Sequence, residues 1–76
     1  PHNIDVQQLK EALQKLGYYP SRQTGSHIRL TTQANGQHHI TIPNHDPLRI
    51  GTLNAILTEV AKHSGVSKQE LVERLF

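Results

Sequence analysis

Six histidines and no cysteine set the chemistry this 76-residue chain can offer. His27, His38, His39 and His45 fall in one stretch, Gly25 to His45, together with Ser26 and Arg29. An imidazole changes charge near neutral pH, so it can take or give a proton there. A guanidinium presents a fork of donors that fits a phosphate, and a glycine lets an anion approach the backbone closely. These residue types suit cleavage of an RNA strand. The substrate's own 2′-OH can be the nucleophile. The protein then needs a base for that hydroxyl, an acid for the leaving oxygen and positive charge beside the phosphate. His27 is the candidate for proton transfer, with Arg29 for charge and Gly25 for close approach. His39 and, in the following loop, His45 are further candidates for binding or charge stabilisation. The same pattern also describes an ordinary sheet whose His and Arg side chains face water.

Other chemistries fit less well. His27, His39 and His45 could in principle hold zinc with water as fourth ligand. Their spacing matches no metal motif and acidic ligands are scarce around them, so neither a metal nor a cofactor is expected. Ser26 and His27 are adjacent, so their side chains are expected to point to opposite faces, and no acid is placed to orient the histidine. There is no G-x-S-x-G elbow and no glycine-rich phosphate loop before a helix.

The elements that must position these residues read as follows. Ser26–Thr32 and Gln37–Ile42 form the arms of a β-hairpin, and Ala34-Asn35-Gly36 carries the turn signal. Side chains alternate across a strand. Ile28 and Leu30 share one face with Ile40 and Ile42, with His38 at its end. His27, Arg29 and Thr31 share the other with Gln37, His39 and Thr41, and no carboxylate is among them. On this reading His27 and His39 share a face and could approach across the hairpin. Tyr18–Gln23 is a third strand, interrupted in character by Pro20, and one of its two tyrosines reaches the core. Thr24-Gly25 is the turn into the hairpin.

Ahead of the strands, Ile4–Leu16 has the apolar spacing of a helix through Val6, Leu9, Leu13 and Leu16. Asp5 and Gln8 have capping-box spacing, Ile4 and Leu9 can staple that end, and Gly17 stops the helix. After the strands, Pro43 ends the sheet and Asn44–Pro47 is loop, with Leu48 and Ile50 as apolar anchors beside Arg49. A second helix starts at Thr52 and buries Leu53, Ile56, Leu57, Val60 and Ala61 before Gly65 ends it. Ser67 and Glu70 cap a short third helix that buries Leu71, Val72, Leu75 and Phe76. The expected fold class is α+β, with helices on one face of a three-stranded antiparallel sheet, in a single domain over residues 1–76.

Eight Lys plus Arg against six Asp plus Glu leave a net charge of +2, too weak for an architectural nucleic-acid binder. No apolar run approaches the roughly 18 residues of a membrane span, and no secretory signal is visible. A soluble, cytoplasmic protein with no membrane partner is expected. The chain does not open on Met, so its natural N-terminus is expected to lie upstream or to be trimmed.

Five pieces, in order, resemble the HicA toxin family, also called YcfA-like. They are Leu9-Lys10-Glu11-Ala12-Leu13-Gln14-Lys15-Leu16-Gly17; Arg22-Gln23-Thr24-Gly25-Ser26-His27; Ile40-Thr41-Ile42-Pro43 with His45; Gly51-Thr52-Leu53 with Ile56-Leu57; and Gly65-Val66-Ser67 with Glu70. The resemblance covers nearly the whole chain, and the three middle motifs at these separations are specific. It implies a fold like that of double-stranded-RNA-binding domains, in the order α-β-β-β-α, to which this chain adds a short C-terminal helix. It also implies the toxin of a toxin–antitoxin pair, an endoribonuclease that cleaves mRNA without the ribosome and is neutralised by a HicB antitoxin. The family's catalytic histidine, in its Gly-Ser-His motif, corresponds to His27. The rival class is a non-catalytic RNA- or protein-binding module of the same fold, whose affinity would barely respond to loss of His27.

Overall fold

The carboxylate of Asp5 accepts from Gln8 N at 2.7 Å, and the Gln8 side chain accepts in return from Asp5 N at 3.0 Å. This reciprocal cap starts α1 (Val6–Gln14), which buries Val6, Leu9, Ala12 and Leu13. The structure, a computed structural model, describes residues 4–45 and 47–76. After α1 come β1 (Tyr19–Thr24), β2 (His27–Thr32), β3 (His38–Pro43), α2 (Ile50–Ser64) and α3 (Lys68–Leu75). The strands pair antiparallel in the order β1-β2-β3, and the helices pack on one side of the sheet. This is the α+β arrangement expected from the apolar periodicities.

Register explains the core. Ile28 lies opposite Ile42, and Leu30 opposite Ile40. All four are buried and meet Leu9, Leu13, Leu53, Ile56 and Leu57 in one cluster. Leu71 and Leu75 of α3 join it. Tyr18 is the tyrosine that reaches this core, at 1% exposure. Its hydroxyl is hydrogen-bonded to His38 Nδ1 at 2.8 Å, so the phenol is buried with its polar end satisfied. The His38 ring stacks on His63 with centroids 4.5 Å apart. His63 Nε2 in turn donates to the Ala34 carbonyl at 2.8 Å, which ties α2 to the β2–β3 turn. Asn35 and Gly36 in that turn take positive φ, as the turn signal requires.

Several expectations need correction. Position 24 belongs to β1, and the turn is Gly25-Ser26 instead of Thr24-Gly25. The second helix starts at Ile50, with Arg49 as N-cap and no side-chain cap bond. Ile50 is consequently 60% exposed and is no anchor. The extended alternation that matched it with Leu48 fails because the chain is already helical there. Leu48 alone is buried. Phe76 is 44% exposed. It follows the last turn of α3 as its C-cap and so leaves the stripe of Leu71 and Leu75. Ser67 does cap α3, accepting from Glu70 N at 3.0 Å. Of the expected loop Asn44–Pro47, Asp46 lies outside the described residues.

Candidate nucleic-acid interface

The sheet face turned away from the helices is built by three short strands and one irregularity. In β2, His27, Arg29 and Thr31 alternate with the buried Ile28 and Leu30. Across the β2–β3 ladder, Thr41 lies opposite Arg29 and His39 opposite Thr31. In β1 strict alternation would send Tyr19 and Ser21 to this face, and Arg22 and Thr24 to the other. A bulge between Pro20 and Arg22 prevents that. Ser21 is the extra residue, and Arg22 then lies opposite Arg29 and Thr24 opposite His27. A bulge of this kind re-aims the side chains that follow it.

The result is a shallow groove of about 340 Å³ lined by Arg22, Thr24, His27, Arg29, His39 and Thr41. No carboxylate lines it. Arg22 and Arg29 face each other across the strands, and like charges directly opposed in a sheet are destabilising. Among the described residues, neither guanidinium has a carboxylate within salt-bridge distance. Two unpaired cations opposed on an acid-free surface are suited to an anion that bridges them.

His27 is exposed at one end of the groove. Its Nδ1 is 3.3 Å from Ser26 Oγ. Sequence parity separated these two side chains, but Ser26 sits in the turn, where strand alternation does not apply. The turn itself, Gly25-Ser26, joins Thr24 to His27 in the tightest hairpin connection. Gly25 takes φ +51° with no atom within 4 Å of where a Cβ would be. Positive φ at the first loop residue is what a II′ hairpin asks of glycine, and the open space above it leaves the backbone approachable. Asn44 N donates to the Ser26 carbonyl at 2.6 Å and so ties the exit of β3 to this turn.

His39 stands elsewhere. It is opposite Thr31, while His27 is opposite Pro43, so the two imidazoles are four residues apart along the ladder. That is about 13 Å at the usual strand rise. Register thus keeps them apart on the face they share: the β2–β3 ladder is centred on residue 35, so His39 meets Thr31, whereas opposing 27 and 39 would need a turn centred on residue 33. His39 Nδ1 is bonded to Thr31 Oγ1 at 2.8 Å, and Thr31 Oγ1 to Ser21 Oγ at 2.7 Å. His45, exposed in the loop past Pro43, does not line the groove. Among the described residues no three His, Cys, Asp or Glu side chains come together as a metal site. Sequence reasoning missed Arg22 and Thr24 as groove residues. The signal was Pro20, because proline inside a strand marks an edge or a bulge.

Comparison with curated proteins and with solved structures returned no match. A family model described as the HicA toxin of bacterial toxin–antitoxin systems matches residues 6–66. That span runs from the first residue of α1 to just past the end of α2 and contains the whole groove, and this chain belongs to the HicA toxin family.

Proposed function

We propose that the chain is a metal-independent endoribonuclease that cuts mRNA, with His27 as its catalytic residue. The observation that carries this reading is the opposed Arg22–Arg29 pair beside His27 on a face without carboxylates. A phosphodiester seated between the guanidiniums offsets their repulsion and is held by charge-assisted hydrogen bonds. The same cations stabilise the charge that builds on the phosphorus oxygens in the transition state. Gly25 and Ser26 flank the phosphate at the turn.

His27 moves the proton. Its ring takes the proton of the ribose 2′-OH as that oxygen attacks the adjacent phosphorus. The O2′–P bond forms, the P–O5′ bond breaks, and the products end in a 2′,3′-cyclic phosphate and a 5′-OH. The departing oxygen receives its proton from the imidazolium or from water. Ser26 supports both states of the ring. A hydroxyl donates or accepts, so its bond to Nδ1 persists whichever tautomer His27 adopts, and Nε2 is left for the substrate. His39 and Arg29 serve binding, and His45, off the groove, contributes at most to the surroundings of the cut.

A cytoplasmic site of action follows from an mRNA substrate. No helix among the described residues is long and apolar enough to cross a membrane. A HicB-like antitoxin is the protein partner, and an acidic surface laid over the groove would neutralise Arg22 and Arg29 while covering His27. We take α3 as part of the same domain, because Leu71 and Leu75 share the core. The test is chemical. Once the cut in an oligoribonucleotide is mapped, deoxyribose at that one position should abolish cleavage there and leave binding within a few fold. Cleavage that continues at the deoxyribose rules out 2′-OH attack.

A further inference from the structure

Tyr19 is 58% exposed, on the open face of the sheet. Two observations fix it there. Tyr18, its neighbour, is locked in the core by the bond to His38, so the next side chain must point the other way. Register then sets Tyr19 opposite Thr31, which is itself opposite His39. One row across the sheet is therefore Tyr19, Thr31 and His39. The next is Arg22, Arg29 and Thr41, and the last Thr24, His27 and Pro43. Aromatic, cationic and proton-transfer groups follow one another along a single strand direction. The polar side chains between them are tied down: Ser21 to Thr31, and Thr31 to His39. An exposed aromatic ring in one row with a pre-oriented imidazole, the Thr31 strand between them, at the end of a cationic track, has the make-up of a base-stacking platform.

We infer that Tyr19 and His39 form a base-binding subsite that selects single-stranded RNA and sets it a fixed distance from the cut. The inference rests on the ribonuclease reading of the His27 face. The distance from the His27 row to the Tyr19 row is about 13 Å, which spans about four stacked nucleotides at about 3.4 Å each and fewer when the strand is extended. The strand lies along β2 with a phosphate over Arg22 and Arg29 and one base on the Tyr19 ring. A duplex cannot use this subsite, because its bases are already stacked and paired. Single strands offer splayed bases to aromatic side chains.

The test uses the His27→Ala chain, which leaves RNA whole, and a fluorescein-labelled mixed-sequence RNA 12-mer, single-stranded or annealed to its complement. Binding of the single strand should exceed that of the duplex. Tyr19→Ala should weaken single-strand binding about 5- to 150-fold, the range expected for one stacked base, and Tyr19→Phe should restore it. Thermal melting checks that each variant folds. A second arm leaves the protein alone. An abasic ribose scanned through the 12-mer should cost a similar factor at one offset from the mapped cut, and Tyr19→Ala should add nothing to that loss. Tyr19→Ala binding like its parent, duplex binding as tight as single strand, or no costly offset each overturns the subsite. So does a Tyr19→Ala chain that loses antitoxin but not RNA. If instead the wild type and His27→Ala cleave alike while stacking holds, the ribonuclease assignment falls and the subsite stands.

Discussion

The proton transfer proposed for His27 needs one ring nitrogen held and the other free. Ser26 holds Nδ1 without fixing the tautomer, and the ring is exposed at the end of the groove. The role proposed for the two arginines is different and rests on charge. Neutralising Arg22 or Arg29 with glutamine should weaken RNA binding across sequences and lower the salt dependence of affinity by about one unit of slope each, as for a lost phosphate contact. A titration at several salt concentrations reads this. An unchanged slope would remove that arginine from the phosphate site. His38, two residues before the buried Ile40 and so on the core side of β3, belongs to stability. Burial lowers its pKa from 6.5, and His63 lowers it further. The unfolded chain therefore binds the proton first as pH falls. Stability that is complete above about pH 6.5 declines as pH drops through and below that value. The melting temperature of the wild type should fall more between pH 7.5 and 5.5 than that of His38→Gln. Equal falls contradict the assignment.

Strands and helices were legible wherever the apolar period was clean. The alternation of Ile28 and Leu30 with Ile40 and Ile42, and the stripe through Leu53, Ile56, Leu57 and Val60, read directly as buried faces. Asp5 with Gln8, and Ser67 ahead of Glu70, read as caps because a capping bond is local. The core they build is small. Ile40→Ala should cost about 2–5 kcal/mol through lost burial and a residual cavity, a large share of a small domain's stability. Chemical denaturation measures it, and a cost under about 1 kcal/mol would place Ile40 outside the packed core. What sequence reading lost were features set by pairing, not by period. The bulge at Ser21 brings Arg22 and Thr24 onto the open face, and nothing in the residues around it fixes a bulge except Pro20. The register of β3 separates His39 from His27, and parity alone sees only that they share a face. Ser26 joined His27 because a turn suspends alternation. The face that His27 and Arg29 share was thus legible from parity, and the spacing of the imidazoles along it was not.

The molecule has two unlike sides. The helices and core occupy one, where Ile50 and Phe76 remain exposed beside an apolar groove between α2 and α3. The open sheet occupies the other, with arginines, imidazoles, hydroxyls and one tyrosine. A weak overall charge of +2 conceals this sidedness, since what a phosphate meets is the local potential of an acid-free face. Membership of the HicA toxin family supports a toxin role, and the activity we propose for that face is RNA cleavage by proton transfer at His27. The direct measurement is cleavage of a single-stranded RNA by purified, antitoxin-free protein in the presence of EDTA, wild type against His27→Ala. Cleavage by the wild type, unaffected by EDTA, is expected, with a loss of about 10²–10⁴-fold in His27→Ala, whose melting temperature stays close to that of the wild type. Equal cleavage by the two proteins, or cleavage that EDTA abolishes, would contradict it.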